Sequence, residues 1–111
     1  MNFDISDFIN NLPDQITRQD LGTSIYNEIR AAENMKVGYL DQATENPEFY
    51  VNISRQLDTY IHHLKVFHNK VAPAPIAIDQ ELYKNEQPDL DQITKLMERI
   101  EESERNRHIK D

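Results

Sequence analysis

The chain has 111 residues, a net charge of −8 and no cysteine. That length holds one small domain with tails rather than a fold wrapped around a deep substrate cavity, and the lack of cysteine excludes disulfides, thiol catalysis and Cys-ligated zinc. Its 12 basic residues lie interleaved among 20 acidic ones, so no basic face is on offer for a phosphate backbone and nucleic acid is not an expected partner.

A basic protein surface is the better electrostatic match, although a negative surface also serves solubility alone. Residues 1–11 hold acids and no apolar run with a basic flank, so no secretory leader is expected. No stretch approaches the length of an apolar membrane span. The expected setting is cytoplasmic, with no membrane partner.

Residues 1–20 read as an N-terminal arm. Ile5, Phe8, Ile9 and Leu12 have helical spacing, Asp4 can cap that turn and Pro13 ends it. The pattern fits a docked arm and a frayed end equally.

A first long helix is expected from Thr17 or Asp20. Its stripe is Leu21, Ile25, Ile29, Ala32, Met35 and Tyr39, at steps of three and four. It fades around residues 40–43. Asp41 to Glu48 is a polar break in which Asn46 suits a cap and Pro47 a first helical position. A second stripe follows: Phe49 or Tyr50, Ile53, Leu57, Tyr60, Ile61, Leu64, Phe67 or His68, and Val71. Two matched stripes with a short connection predict an antiparallel helical hairpin over residues 21–71, each helix about 30 Å long at about 1.5 Å per residue.

Residues 72–88 form a Pro-containing linker, stiffened by Pro73 and Pro75, along which Ile76 and Ile78 can lie on the hairpin. Residues 89–108 are expected as a C-terminal amphipathic helix with Leu90, Ile93, Leu96 or Met97, and Ile100 on its apolar stripe. The fold expected is therefore all-α: a two-helix hairpin with a C-terminal helix and a short N-terminal helical turn. One apolar stripe needs one partner surface. Ile93, Met97 and Ile100 are accordingly candidate partner-binding residues, and the stripe can fold back in cis, pair with a second copy in a homodimer, or bind another protein.

The histidines do not suggest a metal site. His62 and His63 point about 100° apart on a helix, and Asp58 and His62, four apart, supply too few ligands for zinc. An Asp58–His62 hydrogen bond on a helix surface is the plainer expectation. With Gly22 and Gly38 as the only glycines, no phosphate-cradling loop exists.

The run Ser54-Arg55-Gln56-Leu57-Asp58 is different. Leu57 belongs to the seam with Ile53 and Ile61, Ser54 and Asp58 share one edge of it, and Arg55 lies about 100° round from Ser54. With Ile61 three positions on, and with Ile25, Ile29 and Arg30 on the first helix, residues 21–67 resemble the small sporulation-regulatory aspartyl-phosphate phosphatases of spore-forming bacilli. That family is an antiparallel hairpin whose second helix carries Ser-Gln-Glu-Leu-Asp. Here Ser54, Leu57 and Asp58 match. Arg55 replaces the glutamine and Gln56 the glutamate, the interval from Arg30 to Ser54 is a few residues long, and residues 72–111 fall outside the likeness.

The resemblance implies a regulatory protein that promotes hydrolysis of the aspartyl phosphate of a response regulator. The regulator would supply the divalent metal, and the small partner would need no cofactor of its own. Asp58 would orient the water as the catalytic residue. Ser54, Arg55 and Gln56 would touch the partner. The alternative is a non-enzymatic helical adaptor that binds through its hairpin or C-terminal helix, using the same residues without chemistry.

Overall fold

The structure is a computed structural model that describes residues 3–72, 76–78, 88 and 90–109, with side chains of the last helix as far as Arg105. It is all-helical: α1 spans Ile5–Asn10, α2 Arg18–Leu40, α3 Pro47–Val71 and α4 Leu90–Ile109. No strand occurs among the described residues. No helix there is long and apolar enough to cross a membrane.

The helix starts are set by side-chain caps. Asp4 accepts from the Ser6 amide at 2.9 Å, Thr17 from the Asp20 amide at 3.1 Å and Asn46 from the Phe49 amide at 3.2 Å. Each replaces an intrahelical acceptor that the first turn lacks. Pro47 takes the first position of α3, where a missing N–H costs nothing.

The long helices α2 and α3 pack along each other in opposite directions. Arg18 meets Val71, Tyr26 meets His68, Glu28 meets Tyr60, Lys36 meets Asp58 and Tyr39 meets Phe49. The seam buries Leu21, Ile25, Ile29 and Ala32 of α2 against Ile53, Leu57, Ile61, Leu64, Phe67 and Val71 of α3. Full burial of such a side chain stabilises by roughly 1.5–3 kcal/mol relative to exposure.

Met35, expected on the α2 stripe, is exposed instead. A helix repeating every 3.6 residues carries the buried line from Ala32 to position 36 rather than 35, and there it meets Lys36.

The shorter helices cover only one end of this pair. From α1, Ile5 is buried, and Phe8 meets Phe67 edge-on at 6.3 Å between ring centres. From α4, Ile93, Leu96 and Ile100 are buried in the same core, Met97 packs against it and Leu90 is exposed. Ser6 donates to Gln92 at 2.9 Å, and Glu104 accepts from the Arg18 amide at 3.0 Å. The second contact brings a carboxylate to the positive end of α2. In turn Arg18 Nε donates to the Val71 carbonyl at 2.8 Å, setting a cation at the negative end of α3.

Beyond α3, the Asn69 side chain holds the backbone of Ile76 from both sides, accepting from its amide at 2.7 Å and donating to its carbonyl at 2.9 Å. The chain thereby turns back, and Ile76 packs on the core. Residues 73–75 and 79–87 of the expected linker, and Asp89 at the expected entry to the last helix, lie outside the described residues. Pro88 is buried just before α4.

Candidate functional site

Leu57 fixes the phase of α3 in the region of interest: its side chain is fully buried against α2. Successive residues turn by about 100°, so a buried Leu57 sends its neighbours outward by known amounts. Arg55 and Gln56 are exposed, whereas Ser54 and Asp58 sit half-buried at the seam edge. Helix α1 meets α3 further along, where Phe8 packs on Phe67.

The residue the sequence reading missed is Lys36. Its ammonium lies 2.5 Å from Asp58 Oδ1, across the seam from α2, and both side chains are 35% exposed. The two residues are far apart in sequence, and only the antiparallel packing brings them together. An ion pair this exposed adds about 0–1 kcal/mol, so its interest is chemical more than energetic. A carboxylate able to accept a proton stands beside an ammonium able to attract anionic oxygens.

The pair lies at the edge of a groove of about 430 Å³ between the two helices. Val37 and Leu40 of α2, Tyr50 and Ile61 of α3, and Ile78 from the returning chain supply its apolar lining. Glu33, Lys65 and His62 complete it. His62 is only 3% exposed. Rather than lying on an open helix surface beside Asp58, it is buried and lines the groove together with Ile78. The sequence does not single out Lys65; it places Tyr50 on the α3 stripe and Ile78 along the hairpin, but neither as the lining of a groove. Helical spacing alone aligns Tyr50, Asp58, His62 and Lys65, and that alignment was the available signal.

The proposed partner-binding residues of the last helix are placed elsewhere. Ile93 and Ile100 are core residues and Met97 packs against the core, so this stripe is occupied within the chain. The structure does not bring it together with Ser54, Arg55, Gln56 and Asp58.

A larger groove, about 810 Å³, opens at the other end of the helix pair between Arg18, Tyr26, His68 and Val71. Its polar groups already serve the fold: Arg18 caps α3 and the Tyr26 ring lies 6.4 Å from that of His68.

Tyr60 is the clearest electrostatic outlier. Its hydroxyl donates to Glu28 at 3.1 Å. Burial pushes its ionisation well above the ordinary phenol value, and the nearby Glu28 carboxylate adds to the effect. Phe3 packs on the same ring at 5.8 Å. This is a structural hydrogen bond under α1, remote from the groove. Among the described residues no cluster of three or more His, Asp or Glu side chains is arranged to hold a metal ion.

No protein-family model, no curated protein and no solved structure matches this chain.

Proposed function

We propose that this chain is a small regulatory protein that docks on a phosphorylated response regulator through the free end of a helical hairpin, α2 and α3, and promotes hydrolysis of the regulator's aspartyl phosphate. In this reading α1 and α4 are braces on the other end. The observation that supports it is the position of Ser54 to Asp58 on the stretch of α3 that carries no brace, with Arg55 and Gln56 exposed and Asp58 at the mouth of a groove.

The chemistry asks little of such a protein. An aspartyl phosphate is a reactive acyl phosphate, and water attack needs orientation and a proton acceptor. Water oxygen bonds to phosphorus, the bond from phosphorus to the acyl oxygen breaks, and the regulator's aspartate leaves as carboxylate. Asp58 receives the water proton, and Lys36 lies where it can face a phosphoryl oxygen. Ser54, Arg55 and Gln56 contact the regulator's loops. The divalent metal belongs to the regulator, and this chain brings no cofactor.

A second reading, docking without chemistry, is favoured by the Lys36–Asp58 ion pair itself. A carboxylate oxygen engaged by an ammonium is not free to orient water, and Gln56 stands where the resembling family has glutamate.

The test is the rate at which a phosphorylated sporulation response regulator loses its phosphate in the presence of the purified chain, D58N and K36A. Faster loss with the wild type and K36A but not with D58N is the expected result. An unchanged rate with all three proteins would leave docking alone.

A further inference from the structure

The groove of about 810 Å³ at the start of α2 and the finish of α3 differs from the one beside Asp58 in its charges. Beside Asp58 two acids, Glu33 and Asp58, offset two bases, Lys36 and Lys65. Among the described residues no carboxylate lines the larger groove, and Arg18 brings it a cation. Gln19 and Thr23 stand next to Arg18 with further hydrogen-bond donors.

We infer that this groove binds a small amphipathic carboxylate, its head on Arg18 and its apolar tail along Gly22, Tyr26, Val71 and Ala72. The site lies at the end of the helix pair away from Ser54 to Asp58 and does not depend on the reading given to those residues.

Arg18 is prepared for such a head group. Its Nε donates to the Val71 carbonyl at 2.8 Å, which fixes the guanidinium at the end of α3. That bond uses one donor and leaves the others. Among the described residues neither Nη nitrogen makes a hydrogen bond or an ion pair. Together they form the edge of a planar fork that grips a carboxylate through two parallel bonds. Glu104, the acid in contact with this residue, accepts from its backbone amide at 3.0 Å and forms no ion pair with the guanidinium.

Gly22 keeps the floor of the groove open. Glycine weakens a helix relative to alanine, and the fold does not demand it here. Its φ is not positive, and an added Cβ would meet only the Ala72 Cβ, at 3.9 Å, an ordinary contact. The missing side chain therefore leaves space and relieves no clash. Beside that space Tyr26 is 47% exposed, its ring 6.4 Å from that of His68. An apolar tail entering the groove covers aromatic surface that otherwise faces water.

The experiment titrates the full-length chain at neutral pH with octanoate and with octylamine, which share a tail and differ in the sign of the head, and follows the backbone amides by NMR. Saturable shifts at Gly22, Thr23 and Ala72 are expected with octanoate, with a Kd of about 1 mM or tighter. Octylamine should bind at least about tenfold more weakly. Arg18→Gln removes the partner of the head group and should weaken octanoate binding by about tenfold. Gly22→Leu fills the floor and should abolish the saturable shifts while the unfolding midpoint holds or rises, because leucine favours the helix. G22L decides the matter if Arg18→Gln loosens the end of α3. Equal binding of the two compounds, or full binding by G22L, would overturn the proposal. So would the absence of saturation with octanoate up to about 10 mM, or shifts confined to the groove beside Asp58.

Discussion

The two ends of the helix pair are built from the same kind of stripe but finished differently. At the end holding the start of α2 and the finish of α3, Leu21, Ile25, Leu64, Phe67 and Val71 are enclosed by α1 and α4. At the other end Leu57 and Ala32 are buried between two helices only, and Val37, Leu40, Phe49 and Val51 face outward. Two helices alone bury one seam and leave their flanks bare. The braced end therefore supplies stability, and the open end is where apolar surface is left for another molecule.

The largest expected effect lies at the braced end. Phe67→Ala removes a fully buried ring and its edge-on contact with Phe8, a loss of about 3–5 kcal/mol by denaturant unfolding. Val37→Ser at the open end should change stability by no more than about 0.5 kcal/mol. Similar losses from both would erase the distinction between the ends.

Ile93→Ala separates two roles for the last helix. Buried in the core, this side chain should cost about 2–5 kcal/mol when truncated. If instead unfolding is unmoved while binding to a partner is lost, α4 is not a brace.

How much of this division the sequence carried depends on distance along the chain. The caps Asp4 and Asn46 were readable because each acts within three residues, whereas the start of α2 stayed open between Thr17, which caps it, and Asp20. The stripe of α3 and the outward phase of Arg55 and Gln56 followed from the helical repeat. Met35 was misplaced because an apolar residue next to the seam reads like one on it, while the seam itself passed to a lysine. The burial of His62 was not readable, since burial on the flank of a helix is set by what packs beside it and not by local spacing. Nor could spacing say whether Ile93 and Ile100 turn inward or toward a partner: an apolar stripe fits any apolar surface. Lys36 opposite Asp58 required knowing how the helices face each other.

Tyr60→Phe sharpens the comparison at the underside of α1. It deletes the hydroxyl bonded to Glu28 at 3.1 Å, for about 0.5–1.5 kcal/mol. The phenol ionises at higher pH in the fold than in the unfolded chain, where the ordinary value is 10.0. The unfolded state therefore releases this proton first as pH rises. The contribution of neutral Tyr60 is full below about pH 10 and falls steadily above it. Stability measured across alkaline pH should drop more steeply for the wild type than for Y60F. Parallel curves would mean that the phenol is not protected by burial.

A small stability effect also belongs to the pair Lys36 and Asp58. Each side chain is 35% exposed, so water and salt screen the attraction. A double-mutant cycle of K36A and D58N should give a coupling of about 0.2–1 kcal/mol that shrinks with added salt. Function need not follow stability here. Under the phosphatase reading, removing Lys36 frees the Asp58 oxygen it occupies but deprives the phosphoryl group of a nearby cation, so K36A should alter the rate while D58N abolishes it. Under docking alone, both variants should bind the regulator as the wild type does, with no change in phosphate loss. A coupling well above about 1 kcal/mol would mark the pair as structural. In that case the open end would owe part of its own order to Asp58, and a loss of activity in D58N would no longer assign that carboxylate to the water.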